Sequence, residues 1–401
     1  MKKQNKRNQI MEGGEIINKG AYGCIYNPSL QCSADKKKHS IRTKKINKIQ
    51  IYNEYAINEK NIGAIIHSIP NHNERFLPLI MNKKNECSKL KVKQFKNGTL
   101  QDCTILKNSK PKTEIMLLEG EYLENSIPLG DYMMSIEKPS ELYYRYTHAF
   151  FYLTESIMIL LKHNIVHFDL RNPNILYDSL QNVPIILDFG ISFQTKDLLQ
   201  DYERIFIGYD PSYYIYPPEV LLISHFIFMN NSDDIMISVH TVLKDIQTNK
   251  LYTFFSSEIK QAYIHELEQF FVKFGENPGL KSKSRSDIIQ WILRDIKKKK
   301  LYGTWDVYIL SAFMLRIIAS ETEPKRNKYQ EELFLLCCSS LHPNPRKRPD
   351  LKDVQIHCNQ ILMLFEDNYT HMQTLKNMPK NERKYEKQPV DFLRDLTHAS
   401  D

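Results

Sequence analysis

Phe150, Phe151, Leu153, Ile157, Leu160 and Leu161 make a wide apolar stripe that stops a few residues before His167. Apolar residues recurring every three or four positions share one side of a helix, and that side must be buried. Such a helix fixes where the chain after it begins. A second segment, Val307 to Ala319, is hydrophobic nearly all round, which predicts full burial. From about Glu12 to Leu123 the pattern differs: Ile, Val and Tyr stretches broken by Asn, Lys and Gly read as strands and turns. One helix interrupts them around Ile51 to Ile66, where Ile57, Ile62, Ile65 and Ile66 keep helical spacing. The expected class is α+β, strand-rich first and mostly helical from about Tyr143, with no internal repeat.

Composition narrows the partners. The 401 residues are 42% hydrophobic and 25% charged, ordinary for a chain with a sizeable core. The net charge of +8 is spread over short clusters, Lys2-Lys3, Lys36 to Lys38 and Lys297 to Lys300. These read as solvated surface, so nucleic acid is not indicated. The start, MKKQNKRNQ, lacks the apolar stretch of a secretory signal. The apolar run from Val220 to Met229 holds about ten residues broken by His225, too short to span a bilayer, and a soluble protein is expected. Seven cysteines (Cys24, Cys32, Cys87, Cys103, Cys337, Cys338 and Cys358) show no Cys-x-x-Cys and no zinc spacing. Reduced thiols in a cytosol-like compartment are the expectation. The polar stretch after about Asp367 reads as a loosely attached tail.

Several polar strings follow the apolar ones in an order that suits phosphoryl transfer. That chemistry needs phosphates held, metal ions bridging them and an acceptor hydroxyl aimed in line. Beyond the first stripe stands His167-Phe168-Asp169-Leu170-Arg171-Asn172-Pro173-Asn174. The string resembles a protein-kinase catalytic loop, which implies that Asp169 orients the acceptor hydroxyl and takes its proton and that Asn174 ligates magnesium, while Arg171 adds a cation for the γ-phosphate. Asp188-Phe189-Gly190 follows the strand-like Ile185-Ile186-Leu187, and Asp188 would complete a set of hard oxygen ligands. Near the start, Asn18-Lys19-Gly20-Ala21-Tyr22-Gly23-Cys24-Ile25 fits a phosphate-cradling glycine loop, with Asn18 in the first glycine position. Asn tolerates left-handed backbone better than most residues, so the turn survives the replacement.

Ile41-Arg42-Thr43-Lys44 alternates like a strand and resembles the protein-kinase string Val-Ala-Ile-Lys; that resemblance nominates Lys44 for the α- and β-phosphates, with adjacent Lys45 left open. Glu59 on the Ile51 to Ile66 helix is its expected ion-pair partner, with Glu54 in reserve. Farther on, Pro217-Pro218-Glu219, Trp305-Asp306-Val307-Tyr308 and Asn344-Pro345-Arg346-Lys347-Arg348-Pro349 read as structural landmarks. A buried Glu219 needs a partner, and Arg348 is the expected one.

Taken in order, these strings resemble eukaryotic-type protein kinases over about residues 12 to 366. The resemblance implies a bilobal protein-kinase fold, with a strand-rich N-lobe at 12–123 and a helical C-lobe at 124–366. A helical insert at about 220–304 and a charged tail at 367–401 complete it. It implies ATP with Mg2+, or Mn2+ in its place, and transfer to protein substrates, serine and threonine ahead of tyrosine. Gly20 to Pro28 with Cys32 after it, Ile69-Pro70-Asn71 and Phe168 are similar to strings of the serine/threonine kinases of large nucleocytoplasmic DNA viruses. That likeness implies a viral protein of the host cytoplasm or the virion.

The departures carry information. Phe168 replaces the arginine that commonly reads a phosphorylated activation loop, which implies activity without that switch. Arg171 replaces the lysine usual in serine/threonine kinases. Ser212 stands where a Thr often contacts the catalytic Asp. Between Glu219 and Asp306 lie 86 residues, where Ile259, Tyr263, Leu267, Phe270 and Phe271 keep helical spacing. Two alternatives stand beside this reading, a catalytically weak pseudokinase scaffold and a kinase-like small-molecule phosphotransferase. Asp169, Asn174 and Asp188 argue against the first, the Pro-Pro-Glu and Arg348 strings against the second.

Overall fold

The computed structural model describes residues 11–377 other than 13, 21–22, 33–43, 82–88, 96–99, 101, 108, 138, 214, 230–234, 249–254, 256, 278–279, 281–282 and 320–327. Strands come first: β1 (Met11–Glu12), β2 (Glu15–Lys19), β3 (Cys24–Asn27), β4 (Gln31–Cys32), β5 (Lys45–Ile51), β6 (Lys89–Lys91) and β7 (Glu114–Glu121). Among these, an antiparallel sheet runs in the order β2-β3-β5-β7-β6, and β1 pairs with β4. Helix α1 (Glu54–His67) starts where Asn53 accepts the Ala56 N–H on its side-chain oxygen at 2.9 Å, satisfying one orphan donor of the first turn. Its buried face carries Ala56, Glu59, Ile62, Gly63 and Ile66. Gly63 is required there, since a Cβ would lie 2.1 Å from the Leu79 carbonyl oxygen. The short α2 (Thr104–Lys107) follows before β7.

The chain then turns helical: β8 (Ser126–Pro128), α3 (Leu129–Met134), α4 (Pro139–Lys162), β9 (Ile165–Val166), β10 (Ile175–Asp178), β11 (Val183–Ile186) and β12 (Phe193–Gln194). The helices after these are α5 (Tyr202–Ile205), α6 (Pro218–Phe228), α7 (Ile235–Gln247), α8 (Ser257–Gly275), α9 (Arg285–Lys299), α10 (Trp305–Ala319), α11 (Lys328–Ser340) and α12 (Leu351–Asn377). The protein is thus mixed α+β, strand-rich toward the N-terminus and helical toward the C-terminus. Helix α4 buries Tyr146, Phe150, Leu153, Ile157 and Leu160 against α10 and α12, and most of α10 is buried. Each such side chain removed from water contributes about 1.5–3 kcal/mol.

Leu301–Ile318 is the one described helical stretch long and apolar enough to cross a membrane, and 67% of it is buried inside the protein. The 220–304 stretch holds most of α6 with α7, α8 and α9, and α8 turns Tyr263, Leu267 and Phe271 inward as its spacing requires.

Two expectations are corrected. Cys24 and Cys103, 79 residues apart, form a disulfide, so the seven cysteines are not all reduced; Cys337, Cys338 and Cys358 remain thiols. Both bridged residues sit in one buried cluster with Tyr26, Leu90 and Leu106, which brings the two distant stretches together. Strand β5 begins at Lys45, one residue past the expected strand end, and Ile41 to Thr43 lie outside the described residues. Helix α12 continues through Asn377, into the stretch expected to form the tail from 367.

Candidate active site

Two hairpins set the site. β10 and β11 pair with Ile175 opposite Ile186, so the residue before β10, Asn174, adjoins the residues just after β11. The Leu187 N–H donates to the Asn174 carbonyl at 2.9 Å. β9 pairs with β12, Val166 opposite Phe193, which draws the two loops at 167–174 and 187–192 together. The sequence order of apolar run and polar loop has become a spatial meeting of His167 to Asn174 with Asp188.

Asp169 lies at the centre of the first loop. The Asn174 side-chain amide donates to Asp169 Oδ2 at 2.7 Å and to its carbonyl at 2.9 Å, leaving the Asn174 amide oxygen for another partner. Arg171 Nε lies 3.0 Å from Oδ1 and 3.1 Å from Oδ2, so this cation is tied to Asp169 through Nε. The Asp169 N–H donates to His167 Nδ1 at 3.2 Å, and His167 Nε2 donates to the Leu187 carbonyl at 2.8 Å. The loop is anchored from below. Asp306 at the start of α10 accepts the His167 N–H on Oδ2 at 2.8 Å and the Phe168 N–H on Oδ1 at 2.7 Å. Burial pushes the Asp306 carboxyl above its usual range, against the pull of His167 and of the two N–H groups.

Phe168 holds a left-handed backbone, φ 70°, unusual for an aromatic residue. Its ring is buried among Phe193 at 5.6 Å, Phe206 at 6.1 Å, Tyr216 at 5.0 Å and Trp305 at 5.5 Å, measured between ring centres. Packing of this density, with the Asp306 bonds, holds a conformation that costs on the order of 1–3 kcal/mol. Asp188 shares the feature with φ 53°.

The lysine that meets these carboxylates is Lys48, not Lys44 or Lys45. Lys48 Nζ donates to Glu59 at 2.9 and 3.0 Å and to Asp188 Oδ1 at 2.9 Å. Lys48 and Glu59 are almost fully buried, while the Asp188 side chain is 43% exposed. Burial opposes charge on Lys48, but Asp188 and Glu59 outweigh it and hold the ammonium protonated, above its usual range. Burial likewise resists ionisation of Asp188, yet Lys48 and the Gly190 N–H hold its carboxyl below the ordinary value. Lys44 is exposed at the turn before β5, and Lys45 Nζ lies 3.8 Å from Glu119. Glu54 is exposed in the first turn of α1, so the helix does present Glu59 as the partner.

The glycine string forms the β2–β3 hairpin, where the Gly20 N–H donates to the Gly23 carbonyl at 2.9 Å. Gly23 passes so close to β5 that a Cβ would lie 2.5 Å from the Ile49 carbonyl oxygen. Ile25 pairs with Lys48 across the β3–β5 ladder, which sets the hairpin over the lysine. Asn18 pairs with Ile25 within β2 and is not among the left-handed residues, so its tolerance of that conformation is unused. Cys24 turns into the core as part of the disulfide, so only its backbone faces the hairpin turn. Ala21 and Tyr22 lie outside the described residues.

The residue that touches Asp169 from the 208–216 segment is Tyr213, not Ser212. Tyr213 OH donates to Asp169 Oδ1 at 2.7 Å. Ser212 points elsewhere, its hydroxyl donating to Asp210 Oδ1 at 2.6 Å and its N–H to the same oxygen at 2.9 Å. This local turn at Asp210 rotates Ser212 outward and the next side chain inward. Glu219 and Arg348 do meet. Arg348 donates from Nη1 and Nη2 to the two Glu219 oxygens at 2.7 and 2.8 Å, and the Trp305 indole N–H adds a bond at 3.0 Å.

Among the described residues no group of three or more His, Cys, Asp or Glu side chains could hold a metal alone. Asp188, with one carboxylate oxygen not bonded to Lys48, and the Asn174 amide oxygen are hard donors that suit magnesium completed by phosphate oxygens. A separate cavity of about 350 Å3 is lined by Phe270, Trp291, Lys273 and Arg346, and neither Lys48, Asp169, Asn174 nor Asp188 lines it.

Neither a known family model nor a curated protein sequence matches the chain.

Proposed function

We propose that the protein is an ATP-dependent protein kinase with a bilobal kinase fold, transferring the γ-phosphate to serine or threonine hydroxyls. One observation carries the reading: Lys48 bridges Glu59 and Asp188 while Asp169 and Asn174 share a hydrogen bond on the adjoining loop. A buried ammonium held by one carboxylate and reaching a second, exposed one suits phosphate positioning beside a metal.

In this reading Lys48 holds the α- and β-phosphates, and the Gly20 to Gly23 turn covers them with backbone N–H groups. Asp188 and Asn174 would hold magnesium, which neutralises charge on the phosphate oxygens. Asp169 aligns the acceptor hydroxyl and accepts its proton, with Asn174 and Tyr213 fixing the carboxylate. Arg171, bound to Asp169 through Nε, has its remaining guanidinium nitrogens for the γ-phosphate. The Gly20 to Pro28 string and Phe168 support a place beside the kinases of large nucleocytoplasmic DNA viruses, and with it the host cytoplasm or the virion.

The deciding experiment incubates the protein with γ-labelled ATP, Mg2+ and casein. Label in casein that disappears in Asp169→Ala supports the reading. No label, or equal label in the variant, overturns it.

A further inference from the structure

The helices between Glu219 and Asp306 touch the segment leading to Tyr213 at three polar points. From α7, Asp245 accepts a hydrogen bond from Tyr209 OH at 2.6 Å. The Tyr209 ring also stands edge-on to His225 of α6, 4.9 Å between ring centres. From α9, Gln290 Nε2 donates to the Leu199 carbonyl and Lys297 Nζ to the Lys196 carbonyl, each at 3.1 Å. Loop carbonyls need partners, and here side chains of the 220–304 helices supply them.

These contacts bracket the segment. Lys196 and Leu199 lie just after β12, and Tyr209 lies four residues before Tyr213, whose hydroxyl sits on Asp169. A phenol donating to a carboxylate at this distance is a charge-assisted bond, about twice as strong as a neutral one. Phe206 of the segment also stands edge-on to Phe168, 6.1 Å between ring centres, where an arginine would be needed to read a phosphate on it.

We propose that the 220–304 helices are a built-in brace for the 196–213 segment, with Asp245 and Tyr209 as its anchoring pair, holding Tyr213 on Asp169 without phosphorylation. Asp245 and Tyr209 are positioning residues, since they act on Asp169 through Tyr213. The proposal rests on the kinase reading for its effect on rate, but the brace itself is a statement about backbone order.

The test uses the full chain with the variants Asp245→Ala, Asp245→Asn, Tyr209→Phe and the Ala/Phe double variant. Casein phosphorylation is measured as kcat and KM for casein and for ATP, and backbone hydrogen exchange is followed over 196–213. The expected result is an approximately tenfold loss in kcat/KM for casein in Asp245→Ala and Tyr209→Phe, with KM for ATP unchanged. Asp245→Asn keeps an acceptor oxygen and keeps most of the activity. The double variant is no worse than either single one, because both remove the same bond. Exchange rises across 196–213 and stays low in α10. The proposal is overturned if either single variant matches the parent, if the two losses multiply, or if exchange in 196–213 does not change. Should the parent itself fail to label casein, the kinase reading falls, and exchange alone decides the brace.

Discussion

Lys48 reaches Glu59 twice, its ammonium 2.9 and 3.0 Å from the two carboxylate oxygens, across the gap between strand β5 and helix α1. Both partners are buried, so neither charge is tolerable alone. The pair fixes where α1 stands against the sheet, and its spare reach toward Asp188 connects the sheet to the loop after β11.

Replacing this lysine separates the three candidates. Lys48→Met is expected to lower casein phosphorylation by about a hundredfold or more, the scale for losing one preorganised charge donor. Lys44→Ala and Lys45→Ala should stay close to the parent. Steady-state rates of the three variants side by side check this, and a loss in Lys44→Ala comparable to that in Lys48→Met would contradict it.

Asp188→Asn keeps the size of the side chain and removes its charge. Phosphate transfer should become undetectable at ordinary Mg2+, while the fold persists because the side chain is part-exposed. Titrating Mg2+ against activity tests it: parent-like dependence in the variant would place the metal elsewhere.

Arg348→Met leaves Glu219 buried without a cation, and the expected cost is about 3–5 kcal/mol of stability. Urea unfolding of the variant against Arg348→Met with Glu219→Leu provides the check. The double variant should recover much of the loss, since an apolar pair of similar volume replaces a buried ion pair at little cost. Equal instability of the two proteins would mean the guanidinium matters through its other contacts, the Tyr308 ring centre at 4.7 Å and the His342 carbonyl, which accepts from Nε at 2.8 Å.

Asp306 supplies a pH prediction. Its carboxyl is raised by burial, so the folded chain binds a proton more readily there than the unfolded chain does. That contribution to stability is complete below the ordinary carboxylate value of about 4 and is lost as pH rises through the higher folded value. The stability difference, parent minus Asp306→Asn, should therefore fall as pH rises from about 4 through the raised folded value. Unfolding curves at several pH values measure it, and a flat difference would show that the carboxyl is not shifted.

Much of the site was legible because its chemistry restricts both residue type and spacing. Asp169, Asn174 and Asp188 lie on two loops beside apolar runs that name their elements, so their placement could be read. Lys48 was missed because β5 buries Asn47, Lys48 and Gln50 alongside Ile49, and a strand with inward polar residues shows no clean alternation. Asn47 earns its burial by accepting the Leu30 N–H at 2.7 Å and donating to the Leu118 carbonyl at 3.1 Å, contacts no local pattern announces. Tyr213 was misread by one residue because counting back from Glu219 ignores the turn at Asp210. The Asp210-Pro211-Ser212 string was the available signal for that turn. The Cys24–Cys103 bridge joins positions 79 residues apart, and spacing carries no information about such a pair.

The Glu219–Arg348 pair spans 129 residues of chain. During synthesis Glu219 leaves the ribosome long before Arg348 does, with α7 to α11 made in between. Until then the carboxylate at the start of α6 must stay in water, and the wall of the core it later closes must stay open. The order of translation therefore sets a last step for the C-terminal region. The strand-rich region, complete by Glu121, is free to order first.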